Sequence, residues 1–281
     1  MKIKRGFYAT LLLGITAGVV RVIQYLFTVG ADGYTDPGAL PSFLQGLLAG
    51  LLAVGVIAAL LTGFGKKGQR TPAQITGQWG VLFYPLGLLA LVEGILRFPL
   101  ESGLIPRLAC VSCFTAALGW VLLGVLGQKG LGLLGLLPLL HQGLRIVDFF
   151  RSTYKYLRVS EYTLTTLGMC ALCFFTLLLM KAYAEADCAK TRVVFAACTV
   201  LVMAPAAFLA PVAGAFSLKH LLLALESACY ILLAVSALQS AAQPPAPPAE
   251  EEEPAKGPDL SVLNEYINNI PEVEDENHDN P

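Results

Sequence analysis

An all-α bundle of about eight membrane segments, followed by a disordered acidic, proline-rich tail, is the architecture this sequence predicts. Three observations carry it. Of 281 residues, 56% are hydrophobic and 14% are charged, against about 25% charged in soluble domains, so a water-soluble core would have nowhere to hide so much apolar surface. Several windows of roughly 20 residues are nearly free of charge, the length a helix needs to cross about 30 Å of hydrocarbon at about 1.5 Å per residue. Finally, the net charge of −1 conceals a split: from Gln243 onward there are eleven Asp and Glu against one Lys, while positions 1–242 hold nine acidic and eighteen basic residues. Such asymmetry suits a bundle with basic loops beside a solvated acidic extension, and gives no basis for nucleic-acid binding.

The segments fall near 7–29, 42–63, 79–97, 108–127, 131–149, 163–183, 193–213 and 221–239. The first, after "MKIKR", has the basic start of a signal peptide, but its apolar run is too long and Arg21 interrupts it, so it reads as a retained span. Lys2, Lys4 and Arg5 place the N-terminus in the cytoplasm, as do Lys66, Lys67 and Arg70 two spans later, and the loop "ADGYTDPGALP" then lies outside with Asp32 and Asp36. "GITAG" in the first span and "GLLAG" in the second are G-x-x-x-G spacings that let helix backbones pack closely.

The fifth segment decides the topology. Only fifteen residues separate Lys129 from Arg145, and His141 is among them, a length at which a re-entrant or interfacial segment competes with a crossing. Loop charges beyond it, Arg151, Lys155 and Arg158 against Lys181, Lys190 and Arg192, favour seven crossings. The apolar start, the aromatic pair Phe149 and Phe150, and the Gly-Gln-Lys-Gly turn before it favour eight, which puts the tail in the cytoplasm. "LLALVEGILRF" at 88–98 and "LLPLLHQGLRI" at 136–146 align Glu93 with His141 and Arg97 with Arg145, a faint similarity that leucine-rich text produces easily.

Charges at membrane depth cost about 2.5–3.5 kcal/mol on insertion scales, so those that occur face the interior and have partners. The candidates are Arg21, Glu93, His141, Arg145, Asp148 and Glu226. In one reading Glu93, His141, Asp148 and Glu226 line a proton or cation route, and Arg21 with Arg145 clamps an anionic group. In the other, Arg21 pairs with Glu226 or Glu93 to hold helices in register, while Arg97, Arg145 and Asp148 reach out to an interface.

Cys110 with Cys113, and Cys170 with Cys173, form C-x-x-C pairs inside apolar helices, where cysteine behaves as a small hydrophobe; no metal and no cofactor is implied. "GLGLLG" at 130–135 has no strand before it, and "STYK" at 152–155 lacks its partner motifs, so neither a dinucleotide site nor a serine nucleophile follows. Walker A and H-E-x-x-H are missing from the sequence, and an enzyme is the class with least support.

In the tail at 243–281, "QPPAPPAEEEEPAKGP" reads as an extended spacer. It leads to a short amphipathic helix at 259–270, with Leu260, Leu263, Ile267 and Ile270 on one stripe and Tyr266 beside it, a surface for a protein partner. "GITAGVVRVIQYLFTVGADGYTDPG" and "LPLLHQGLRIVDFFRSTY" resemble segments of uncharacterised multi-pass membrane proteins of anaerobic Gram-positive bacteria. That resemblance implies a bacterial cell membrane and gives no residue a role. Two functions follow from the residues: a non-enzymatic anchor or scaffold acting through the tail, or a secondary transporter or channel-like protein moving protons or a small solute past the buried charges. The tail motif and the lack of a clear broken-helix pair favour the first, which is the reading the sequence supports best, and the buried carboxylates favour the second as its alternative.

Overall fold

The computed structural model describes residues 2–28, 38–64, 79–99, 103–126, 134–153, 160–183, 190–214 and 217–242; the spacer and amphipathic helix expected within 243–281 lie outside them. Among the described residues the chain is helical, without strands: α1 Lys2–Phe27, α2 Ala39–Phe64, a 3-10 turn Trp79–Leu82 running into α3 Phe83–Arg97, α4 Leu104–Leu126, α5 Leu136–Thr153, α6 Ser160–Tyr183, α7 Lys190–Ala204, a π turn Pro205–Leu209, α8 Ala210–Gly214 and α9 Leu218–Ala242. Seven stretches are long and apolar enough to cross a membrane, α5 being the long helix outside that set.

Many large apolar side chains face outward, and on α1 most of the polar ones face in. On α1 the buried face carries Thr10, Ala17, Arg21, Gln24 and Thr28, while Leu12, Ile15, Val19, Leu26 and Phe27 face outward. Water would penalise that arrangement; hydrocarbon rewards it, because large apolar side chains cost nothing against lipid and polar groups must find partners inside. The chain is therefore an integral, multi-pass membrane protein.

α7 forms the axis. Val193, Ala196, Ala197, Cys198, Val200, Leu201 and Val202 are all buried, the pattern of a helix apolar on every side, and α1, α2, α6 and α9 pack around it. Small residues allow the approach. A Cβ on Gly14 would drive into the Leu201 carbonyl oxygen, and one on Gly18 would meet Pro205. The "GITAG" spacing thus serves the α1–α7 contact. "GLLAG" does not serve packing: Gly46 and Gly50 of α2 have open space beside them. Pro205 lacks an N–H for the Leu201 carbonyl, and the chain answers with a π turn, in which Ala210 N–H reaches the Pro205 carbonyl.

A second group, α3, α4 and α5, packs α3 on α4 and α4 on α5, and joins the first through α5 on α6 and α3 on α9. α5 runs along most of α6. At its start Gly135 lies against Met180 near the end of α6, and Leu137 and Pro138 lie against Gly119 late in α4; at its other end the Phe149 ring sits 6.1 Å from that of Tyr162, in the first turn of α6. Its eighteen residues span about 27 Å. The helix, Leu136–Thr153, lies further along the chain than the apolar run at 131–149 implies.

We expect Gly14→Leu to destabilise the protein by about 1–3 kcal/mol, the usual cost of overpacking a close contact, and Gly50→Ala to be neutral. Thermal unfolding in detergent distinguishes them; equal midpoints would mean that α1 and α7 are not held by this close approach.

Candidate functional site

Four helices bring polar residues together toward one end of the bundle. α3 supplies Glu93 and, one turn on, Arg97; α5 supplies His141, Gln142, Arg145 and Asp148; α4 supplies Ser112 and Cys113; α9 supplies Glu226 and Tyr230. The i,i+4 spacing of Glu93 with Arg97, of His141 with Arg145, and of Glu226 with Tyr230 puts each pair on one helix face.

The charges form an unbroken chain. Arg97 Nη2 donates to Asp148 Oδ2 at 2.5 Å and Nη1 to Glu93 Oε1 at 3.3 Å; Arg145 Nη1 donates to Glu226 Oε2 at 2.5 Å, with its Nη2 3.4 Å from Glu93 Oε2. The distances rank these partners. Asp148 belongs to Arg97 and Glu226 to Arg145, while Glu93 shares two longer contacts and is held least tightly. Three carboxylates face two guanidinium groups, and the Lys219 ammonium is near enough to act on Glu93 and Asp148 as well. Lys219 sits in the first turn of α9 with its Nζ 5.7 Å from the centre of the Phe149 ring, exposed at the rim rather than within the chain of ion pairs.

His141 is held by a relay. The Ser112 hydroxyl donates to the Ala109 carbonyl at 2.6 Å, and its oxygen, 3.0 Å from His141 Nδ1, suits the tautomer that carries its hydrogen on Nδ1. In the neutral ring, Nε2 is then the lone-pair nitrogen. The Cys113 Sγ lies 3.4 Å from the Ala109 carbonyl, and one donor atom each from Glu93, Cys113 and His141 falls within 4.8 Å of the others. Deeper still, Gln142 donates to the Tyr230 hydroxyl, which also accepts from Thr176 Oγ1 at 3.3 Å, and the Gln142 Oε1 is buried without a hydrogen-bond partner. Backbone packing between α5 and α9 is sparse; Arg145 with Glu226 and Gln142 with Tyr230 bridge them side chain to side chain.

A cavity of about 240 Å³ lies at the same end of the helices, lined by Phe149, Tyr162, Thr165, Phe208, Lys219 and His220 among others. Its wall includes Ala207 and Phe208 of the π turn, and none of the ion-paired residues lines it.

Five of the six sequence candidates meet: Glu93, His141, Arg145, Asp148 and Glu226. Arg21 stands apart on α1, where its guanidinium donates to Gln24 Oε1 at 2.8 Å and lies 4.7 Å from the centre of the Tyr25 ring. The expected pairing of Arg21 with Glu226 or Glu93 is corrected, because Arg145 takes both carboxylates. Nor does Arg145 reach to an interface: it is 8% exposed. Arg97, Ser112, Cys113, Gln142 and Tyr230 join the site without having been singled out for it. The C-x-x-C spacing points elsewhere, since Cys110 Sγ donates to the Gly94 carbonyl at 3.3 Å and only Cys113 faces the cluster.

Comparison of the chain with family models, curated proteins and solved structures finds no match, so no residue takes its role from a relative.

Removing Arg145 would leave two buried carboxylates facing each other. Arg145→Gln should cost about 3–5 kcal/mol, the loss seen when one partner of a buried pair is deleted, and adding Glu226→Gln should recover part of it. Unfolding of the single and double variants in detergent measures this; simple additivity would mean that the two groups do not interact.

Proposed function

We propose that this multi-pass membrane protein is a secondary transporter or channel-like protein that passes a proton or small cation through the α3–α4–α5–α9 cluster. The sharing of Glu93 carries the reading: both of its guanidinium neighbours have shorter partners in Asp148 and Glu226. A helix bundle that only needed register could hold closed pairs, whereas a buried carboxylate with two long contacts gains from a cation that joins it. His141 beside it adds an imidazole nitrogen to the same place. The cavity at Lys219 supplies access from one end, and the π turn beside it provides a segment whose hydrogen bonding can change at low cost, as interrupted helices do in many transporters.

The basic N-terminus places the cavity end on the outer face, with α5 as a crossing and an even number of spans. A second reading, anchoring or scaffolding through the acidic tail, is favoured by the short Arg97–Asp148 and Arg145–Glu226 pairs, since a locked cluster serves a purely structural bundle equally well.

Proteoliposomes separate the two. Under an imposed proton gradient with a counter-ion path, the native chain should discharge the gradient and Glu93→Gln should fall to the rate of protein-free vesicles, with both proteins incorporated equally. A native rate no faster than empty vesicles, or an undiminished rate in Glu93→Gln, would leave the scaffold reading in place.

A further inference from the structure

We propose that Glu93, Cys113 and His141 form a binding site for a thiophilic divalent transition metal ion, Zn²⁺ being the simplest case. The site deepens the transport reading by naming a substrate class, and the ion's role as cargo rests on that reading; the binding itself does not.

The donor set comes from three helices, with a carboxylate oxygen from α3, a sulfur from α4 and an imidazole nitrogen from α5 within 4.8 Å of one another. Tetrahedral zinc with bonds of about 2.0–2.3 Å holds its ligand atoms roughly 3.3–3.8 Å apart, so side-chain rotation of the order of 1 Å closes the site. Sulfur and imidazole select soft or borderline ions over magnesium, calcium and the alkali metals. Three protein ligands leave a fourth position for water or an exchanging group, the arrangement of an open rather than a closed structural site.

Two features separate this trio from an accidental cluster. First, the imidazole is already oriented. Nδ1–H donates to Ser112, whose own hydrogen is committed to the Ala109 carbonyl, and metal-binding histidines are fixed in this way through their second nitrogen. Second, the arginines beside the site have other partners. Asp148 and Glu226 take Arg97 and Arg145 at 2.5 Å, whereas the contacts of these arginines to Glu93 are 3.3 and 3.4 Å, leaving Glu93 with charge and lone pairs to give. As the sulfur–metal bond forms, Cys113 releases its thiol proton to water; the incoming two positive charges less that proton add one net positive charge to a cluster that holds three carboxylates and two guanidinium groups. One ion bound therefore means one proton released, which links the ion to a proton flow.

The test uses the full-length chain in detergent, purified without a histidine tag and kept reduced by a non-chelating phosphine, with Co²⁺ as an optical probe and Zn²⁺ as competitor. The expected result is one equivalent of Co²⁺ bound with a thiolate-to-cobalt charge-transfer band, abolished in Cys113→Ser and His141→Ala, retained in Cys110→Ser, and displaced by Zn²⁺. Absence of the band in the native chain, or its persistence in Cys113→Ser, overturns the site. If Cys113→Ser does not fold, alkylation decides on the native chain: Zn²⁺ should slow labelling of Cys113 by a small maleimide, read by mass spectrometry, and an unchanged rate overturns the site. Metal binding without flux in vesicles would sustain the site and sink the transport reading; proton flux without metal binding would do the reverse.

Discussion

Arg145 lies between Glu226 at 2.5 Å and Glu93 at 3.4 Å, and its guanidinium ties α5 to α9. Between these two helices backbone contact is sparse, so the groups, which also meet through α5 on α6 and α3 on α9, are joined here by long polar side chains. Lipid supplies no hydrophobic force to press helices together. What holds them is packing of small residues where backbones can meet, as at Gly14 and Leu201, and charge pairing where they cannot. A planar guanidinium suits the pairing role, because it stays charged at any accessible pH and presents donors to two carboxylates at once.

The same constraint explains why α5 tolerates its composition. Its outward residues, Leu136, Leu140, Val147 and Phe150, are apolar, while His141, Gln142 and Arg145 are buried. Each inward group meets a residue from another helix: Ser112 for His141, Tyr230 for Gln142, Glu226 for Arg145. With those partners in place the helix lies along α6 from Met180 to Tyr162 although it is less apolar than the seven stretches long and apolar enough to cross a membrane. Specificity of assembly and a polar interior arise from one set of contacts.

The helical membrane class was legible in the sequence because it rests on sums: apolar content and window length survive any local error. Periodicity also brought Glu93, His141, Arg145, Asp148 and Glu226 forward, since an ionisable residue in an apolar run needs a reason. Which helices would meet was not legible. Glu93 and Glu226 attract any cation equally on paper, and only packing shows that Arg145, rather than Arg21, stands between them. Cys113 was obscured by its own motif, because C-x-x-C ties it to Cys110 while the sulfur's neighbours come from α3 and α5. The two G-x-x-x-G patterns look alike in sequence, yet one lies against α7 and the other against open space, a difference set by what the neighbouring helices leave available.

We propose, as the central claim, that α5 crosses the membrane because its charges are taken up by α3 and α9. Epitope tags inserted after Gln128 and after Lys155, detected in intact and in permeabilised cells, test it most directly. The two tags should lie on opposite sides, the first reached only after permeabilisation and the second in intact cells. Both tags on one side would make α5 a re-entrant or interfacial helix and would contradict the claim.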